Sequence, residues 1–100
     1  MERIQYFRQR NQDLDRVVMW IITADHLSEW EADKKQIEAE KTKHNLTREF
    51  RLYDDDGELY YSGWYSDDIE DEFYILQWAM YDSGCTEMQT KNSEGRWEVL

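Results

Sequence analysis

One hundred residues, 40% of them hydrophobic, suffice for a single domain with a modest core. No apolar run approaches the roughly 18 residues of a membrane span, and the polar opening MERIQYFRQRNQDLDR lacks a secretory apolar segment, so a cytoplasmic protein without membrane contact is expected. The net charge is −11, and the single cysteine, Cys85, excludes an intramolecular disulfide framework and any CxxC zinc or redox motif.

The first periodic stretch, RVVMWIIT at 16–23, is β-branched and reads as a buried strand following a short N-terminal helix. One continuous helix over 3–22 competes, because Ile4, Phe7, Leu14, Val18 and Ile21 also fall at heptad-like spacing. Ser28 with Glu31 three residues on matches a capping box, so 28–44 reads either as an exposed helix packed by one edge or as a mobile excursion. Its apolar stripe is thin, only Trp30, Ile37 and Ala39.

REFRLY and ELYYSGWY then flank an acidic turn, predicting a hairpin near 47–65. Pairing Leu52 with Leu59 and Phe50 with Tyr61 places these four on the core face, with Tyr53 and Tyr60 opposite. Residues 54–57 become a four-residue loop in which Gly57 takes the positive-φ position. An EF-hand does not fit, since with Gly57 at loop position 6 the end positions are Leu52 and Gly63. Next, Ser66 is a candidate N-cap for a helix near 67–82, whose first-turn acids suit the positive end of the helix dipole. Ile69, Phe73, Leu76 and Met80 share its expected buried face, Tyr74 and Trp78 form a second stripe, and Gly84 ends it. Cys85 reads as a small core residue. A second hairpin near 86–100 repeats the first, with Thr90 opposite Trp97, Met88 opposite Val99, and 92–95 as the loop. The expected architecture is α+β: a largely antiparallel sheet of about five strands, with two to three helices on one side.

The charge is unevenly distributed along the chain. From Leu52 to Thr90 there is no lysine or arginine, and eleven acids: Asp54, Asp55, Asp56, Glu58, Asp67, Asp68, Glu70, Asp71, Glu72, Asp82 and Glu87. The rest of the chain carries twelve acids and twelve bases, so this block holds the entire net charge. It is too rich in aromatics for a disordered acidic tail. No G-x-S-x-G, Walker A, dinucleotide or HExxH motif is present, and neither His26 nor His44 has a nucleophile beside it in sequence. No catalytic residue and no cofactor is assigned; Asp67, Asp68 and Asp71 read as a solvated face before they read as a metal site. Arg3, Arg8, Arg10 and Arg16 gather near the N-terminus, but the acidic block would repel nucleic acid.

The converse partner fits better: a basic nucleic-acid-binding protein, such as a nuclease or CRISPR effector. Complementary charge would speed encounter, and aromatic anchors would hold the complex. The residues expected to meet it are Asp54, Asp55, Asp56, Glu58, Trp64, Asp67, Asp68, Glu70, Asp71, Glu72, Tyr74 and Trp78. Five tryptophans and seven tyrosines exceed what so small a core buries easily, so Trp30, Trp64 and Trp78 are expected to be partly exposed. In size, acidity and aromatic content, carried by LYDDDGELYYSGWYSDDIEDEFYILQWAMYDSGCTEMQT, the chain resembles small phage-encoded anti-restriction and anti-CRISPR proteins that imitate DNA. The resemblance implies inhibition by occlusion, without catalysis or cofactor, and transfers no residue roles. The rival readings are an accessory or assembly protein with an aromatic interface, homodimeric in one version, and a small-molecule binding domain.

Overall fold

The structure, a computed structural model, describes residues 3–10 and 16–100. In chain order it contains β1 (Gln5–Arg10), β2 (Arg16–Asp25), β3 (Trp30–Glu31), α1 (Lys34–His44), β4 (Arg48–Tyr53), β5 (Leu59–Tyr65), α2 (Phe73–Ser83), β6 (Glu87–Lys91) and β7 (Trp97–Val99). The strands form one sheet in the order β1-β2-β5-β4-β6-β7, with β3 also on β2 and every pairing antiparallel. The α+β class holds, with seven described strands rather than about five and two described helices. Neither helix is long and apolar enough to cross a membrane.

The extra strands come from the first third of the chain. Residues 5–10 are not helical; they pair with β2 from Gln5↔Ile22 to Arg10↔Arg16. Leu14, which the helical spacing required, lies outside the described residues. Pairing gives β2 a neighbour on its second edge and stacks Phe7 on Trp20, with centroids 3.7 Å apart and rings 3° from parallel. β5 occupies the other edge, so β3 continues β1's edge, meeting β2 at Ala24 and Asp25. The supposed capping box is therefore turn and strand: Asp25 Oδ1 accepts from the amides of Leu27 and Ser28. α1 starts at Lys34 instead, where Asp33 Oδ2 accepts from the Lys35 amide at 3.1 Å.

The two helices cover opposite faces of the sheet, not one. β2 is apolar on both faces, as a strand covered on both sides must be. A bulge at Met19 turns Met19 and Trp20 to the same side. They join Ile22, Phe50, Leu52, Tyr61 and Tyr65 beneath α2's Ile75 and Ala79. On the far face Val18 and Ile21 meet Ile4, Ala32 and Leu46, with Ile37 of α1 and Trp64 packed against them.

Both hairpins depart from the expected register through loop length, and the first through a bulge as well. Their loops hold three residues, not four. Asp54 N donates to Glu58 O, Gly57 N donates to Asp54 O, and Asp54 Oδ1 accepts from the amides of Asp56 and Glu58. Asn92 makes the same four bonds, with the amides of Glu94, Gly95 and Arg96 and the Arg96 carbonyl. Gly57 and Gly95 each take φ near 80°, the position where an L side chain is strained. In the first hairpin Leu52 faces Tyr61 and Phe50 faces Gly63, and a bulge brings Tyr60 rather than Leu59 against the core. In the second, Thr90 faces Glu98 and Gln89 faces Val99. That one-residue slip puts Trp97 and Val99 on the face opposite Met88, where the Arg51 guanidinium lies over Trp97 at 3.8 Å.

Candidate interaction surface

α2 carries the largest group of exposed apolar side chains, so its placement decides what the surface is. The helix begins at Phe73, later than the expected start near 67. Ser66 is buried and organises a turn: its Oγ accepts from Asp68 N and its carbonyl from Ile69 N. Asp71 Oδ1 accepts from the Phe73 amide at 2.9 Å. Two tyrosines then pin the helix to β5. Tyr65 O–H donates to Glu72 Oε2 at 2.5 Å, and Tyr61 O–H donates to Asp82 Oδ2 at 2.6 Å. Four strand residues span about 13 Å and ten helical residues about 15 Å, so the two contacts lay α2 antiparallel along β5. Burial, then the bond to Asp82, pushes the Tyr61 hydroxyl from 10.0 up to about 12. Burial and Glu72 push Tyr65 in the same direction. Arg48 completes the first clamp, 3.5 Å from Glu72 and 3.7 Å from Asp67.

This pinning selects which apolar stripe of FYILQWAMYDS turns inward. Ile75 and Ala79 are buried. Leu76 and Trp78 pack against the same core, Trp78 lying 5.5 Å from Trp20, 5.2 Å from Tyr61 and 4.9 Å from Phe7 between ring centroids. Of the face expected to be buried, Phe73 and Met80 point outward, 53% and 54% exposed. Tyr81 is 87% exposed and Tyr74 37%. A helix this apolar offers several candidate faces, and period alone does not choose among them. Asp71, Phe73, Tyr74, Leu76, Gln77 and Met80 line a shallow depression of about 380 Å³ on the outer side.

The sequence-predicted partner residues occupy four settings. Asp67, Asp68, Glu70 and Asp71 are exposed at the start of α2, with Tyr74 one turn along. Asp67 is shared with Arg48 and with the Thr47 hydroxyl. Asp68 and Glu70 enter no ion pair among the described residues. Asp54, Asp55, Asp56 and Glu58 sit at the β4–β5 turn, the opposite end of β5 and the end where α2 finishes at Asp82. Asp54 and Asp82 both act on Cys85 there, adding to the burial that raises its thiol. The amide of Glu58, chiefly, holds the Asp54 carboxyl below its usual value. Glu72 and Trp78 are turned inward, as described. Trp64 is on the far face, half-buried, with Lys41 Nζ 3.5 Å from its ring centroid. Trp30 is likewise half-buried beside the Arg3 guanidinium, 5.2 Å from its ring centroid. The aromatic surplus is thus mostly taken into the two cores, and the exposed rings belong to α2.

The sequence reading missed Tyr61, Tyr65, Arg48 and Asp82 as the elements that place this surface. Two tyrosines four apart on one strand face, followed by carboxylates ten apart, were the available signal. Elsewhere, His26 Nε2 lies 3.3 Å from Ser62 Oγ at an exposed position, while the neighbouring Asp25 uses Oδ1 for turn amides. Among the described residues no group of three His, Cys, Asp or Glu converges as metal ligands would. No protein-family model, curated protein or solved structure matches this chain.

Proposed function

We propose that this protein is a non-catalytic interaction protein that presents the α2 face to a basic nucleic-acid-binding protein and occludes that partner's nucleic-acid groove. The observation that carries the reading is the exposure of Phe73, Tyr74, Met80 and Tyr81 between two acidic poles, within a stretch that contains no lysine or arginine. One pole is Asp68, Glu70 and Asp71; the other is the exposed Asp55, Asp56 and Glu58 of the β4–β5 turn, at the end where α2 finishes. The acids attract a cationic surface from a distance and set its orientation. The aromatic and thioether side chains supply the short-range contact, since exposed ion pairs alone contribute little. Trp64 is outside this surface, and Glu72 and Trp78 act by holding α2 in place. A second reading, an assembly protein with an apolar interface and acidity serving solubility, draws on the same exposed Phe73 and Met80.

Salt separates the two. Association with a captured partner should weaken steeply above physiological ionic strength if the acidic poles recognise it. The double variant Asp68→Lys, Glu70→Lys changes two exposed positions that make no ion pair in the described chain. It should lose the partner while keeping the wild-type circular dichroism spectrum. Unchanged binding by this variant, or binding indifferent to salt, would leave the assembly reading in possession.

A further inference from the structure

Resting on that reading, we infer that the element received by the α2 face is a cationic amphipathic helix of the partner. The exposed side chains follow helical spacing: Phe73, Gln77, Met80 and Tyr81 stand at i, i+4, i+7 and i+8, with Leu76 beside them. Such a ridge is complementary to another helix, whose own side chains fit the grooves between rows. Shallow relief supports this occupant over a compact ligand, since the depression between Phe73, Leu76 and Met80 admits apolar side chains and encloses nothing. The charge of the occupant follows from the two ends. Asp68, Glu70 and Asp71 precede the helix, and the exposed Asp55, Asp56 and Glu58 stand at the turn beyond its end, while Asp82 in the last turn is held by Tyr61 on the sheet side. No base lies in that last turn, so nothing offsets the negative end of the helix dipole. A partner helix lying along α2 therefore places lysine or arginine at both ends of an apolar seam, about 15 Å or ten residues apart. Such a helix is also what a protein inserts into the major groove of DNA, which links the inference to occlusion.

The test uses two synthetic peptides of about 18 residues, or five helical turns. One contains leucine and lysine in amphipathic helical order; the other contains glycine and lysine with the same number of lysines. Each is titrated into the isotope-labelled full chain. The helical peptide should bind at least about tenfold more tightly, a difference of about 1.4 kcal/mol. Its amide shifts should centre on Phe73, Leu76, Gln77 and Met80. Phe73→Ser with Met80→Ser, both at exposed positions, should remove that preference while retaining the glycine–lysine affinity. Equal affinity for the two peptides would overturn the helix inference, as would shifts centred on α1 or β7. Either result leaves the salt test of occlusion standing. If Phe73→Ser with Met80→Ser unfolds the chain, Met80→Gln alone serves, and an undiminished preference in that variant would also count against the inference.

Discussion

Removing the Tyr61 hydroxyl should change the stability of the protein in a pH-dependent way. In Tyr61→Phe one O–H···carboxylate bond is lost, that to Asp82 at 2.6 Å. Bonds to charged acceptors contribute about 1.5–3 kcal/mol, and Asp82 is exposed enough to be rehydrated, so a loss of about 1.5 kcal/mol is expected at pH 8. The pH dependence follows from the raised folded value. Tyr61 titrates near 10.0 when free and about 12 when folded, so the folded state holds the proton more tightly. That contribution is complete below pH 10 and is lost as pH rises through about 12. Once the phenolate forms in both states, the wild type has lost stability that Tyr61→Phe never depended on. Phenylalanine has no proton to lose, so its stability should fall less steeply, while Tyr65 acts alike in both chains. Urea unfolding followed by tryptophan fluorescence measures the difference directly. The gap between wild type and Tyr61→Phe should shrink or invert at the alkaline end. A gap that is constant between pH 8 and the alkaline end of the titration would refute the buried clamp.

Gly63→Ala should be among the most damaging single substitutions. A Cβ there would sit 2.0 Å from the Ile21 carbonyl oxygen and 2.6 Å from the Phe50 ring, so a loss above about 3 kcal/mol is expected in thermal or urea unfolding. An alanine variant of wild-type stability would contradict the packing of β5 between β2 and β4. Asn92→Ala removes the side-chain acceptor for two turn amides and should cost about 1 kcal/mol, whereas Asn92→Asp keeps the acceptor and should be close to neutral. Equal losses in the two variants would show that the side-chain oxygen does not organise the turn. Asp54, the equivalent residue of the first hairpin, should titrate below 3.8 in a carbon-detected NMR pH series, because the charged form accepts the loop amides. A midpoint at or above that value would mean the turn bonds are absent in solution.

The parts of the fold that were legible in sequence are those set by local chemistry. DDDGE and NSEGR announce turns closed by glycine, RVVMWIIT announces a buried strand, and Gly84 marks the end of α2 with φ of 78°. Parts that depend on a distant partner were not legible. Gln5–Arg10 is a strand because Phe7 finds Trp20 and because β2 requires a second neighbour, neither of which appears in the hexapeptide itself. Hairpin loop length turned on whether Asp54 and Asn92 would bond back to their own loops, and a shift of one residue reversed the face of Trp97. The outward face of α2 was hidden for a related reason. Phe73 and Met80 are as apolar as Ile75, and the side that is buried depends on distant partners: the Tyr61 and Tyr65 hydroxyls on Asp82 and Glu72, and the rings packed around Trp78. The acidic block was legible as a block. Its division into two poles around one helix was not, because that depends on α2 running back along β5.

Occlusion of a nucleic-acid groove is tested most directly by competition. The immobilised protein is loaded with extract of the cells in which it acts, washed at physiological salt, and challenged with duplex DNA. DNA should release a basic nucleic-acid-binding protein, and Asp68→Lys with Glu70→Lys should retain none of it. A retained partner that DNA fails to release, and that the charge-reversed variant holds equally well, would contradict occlusion.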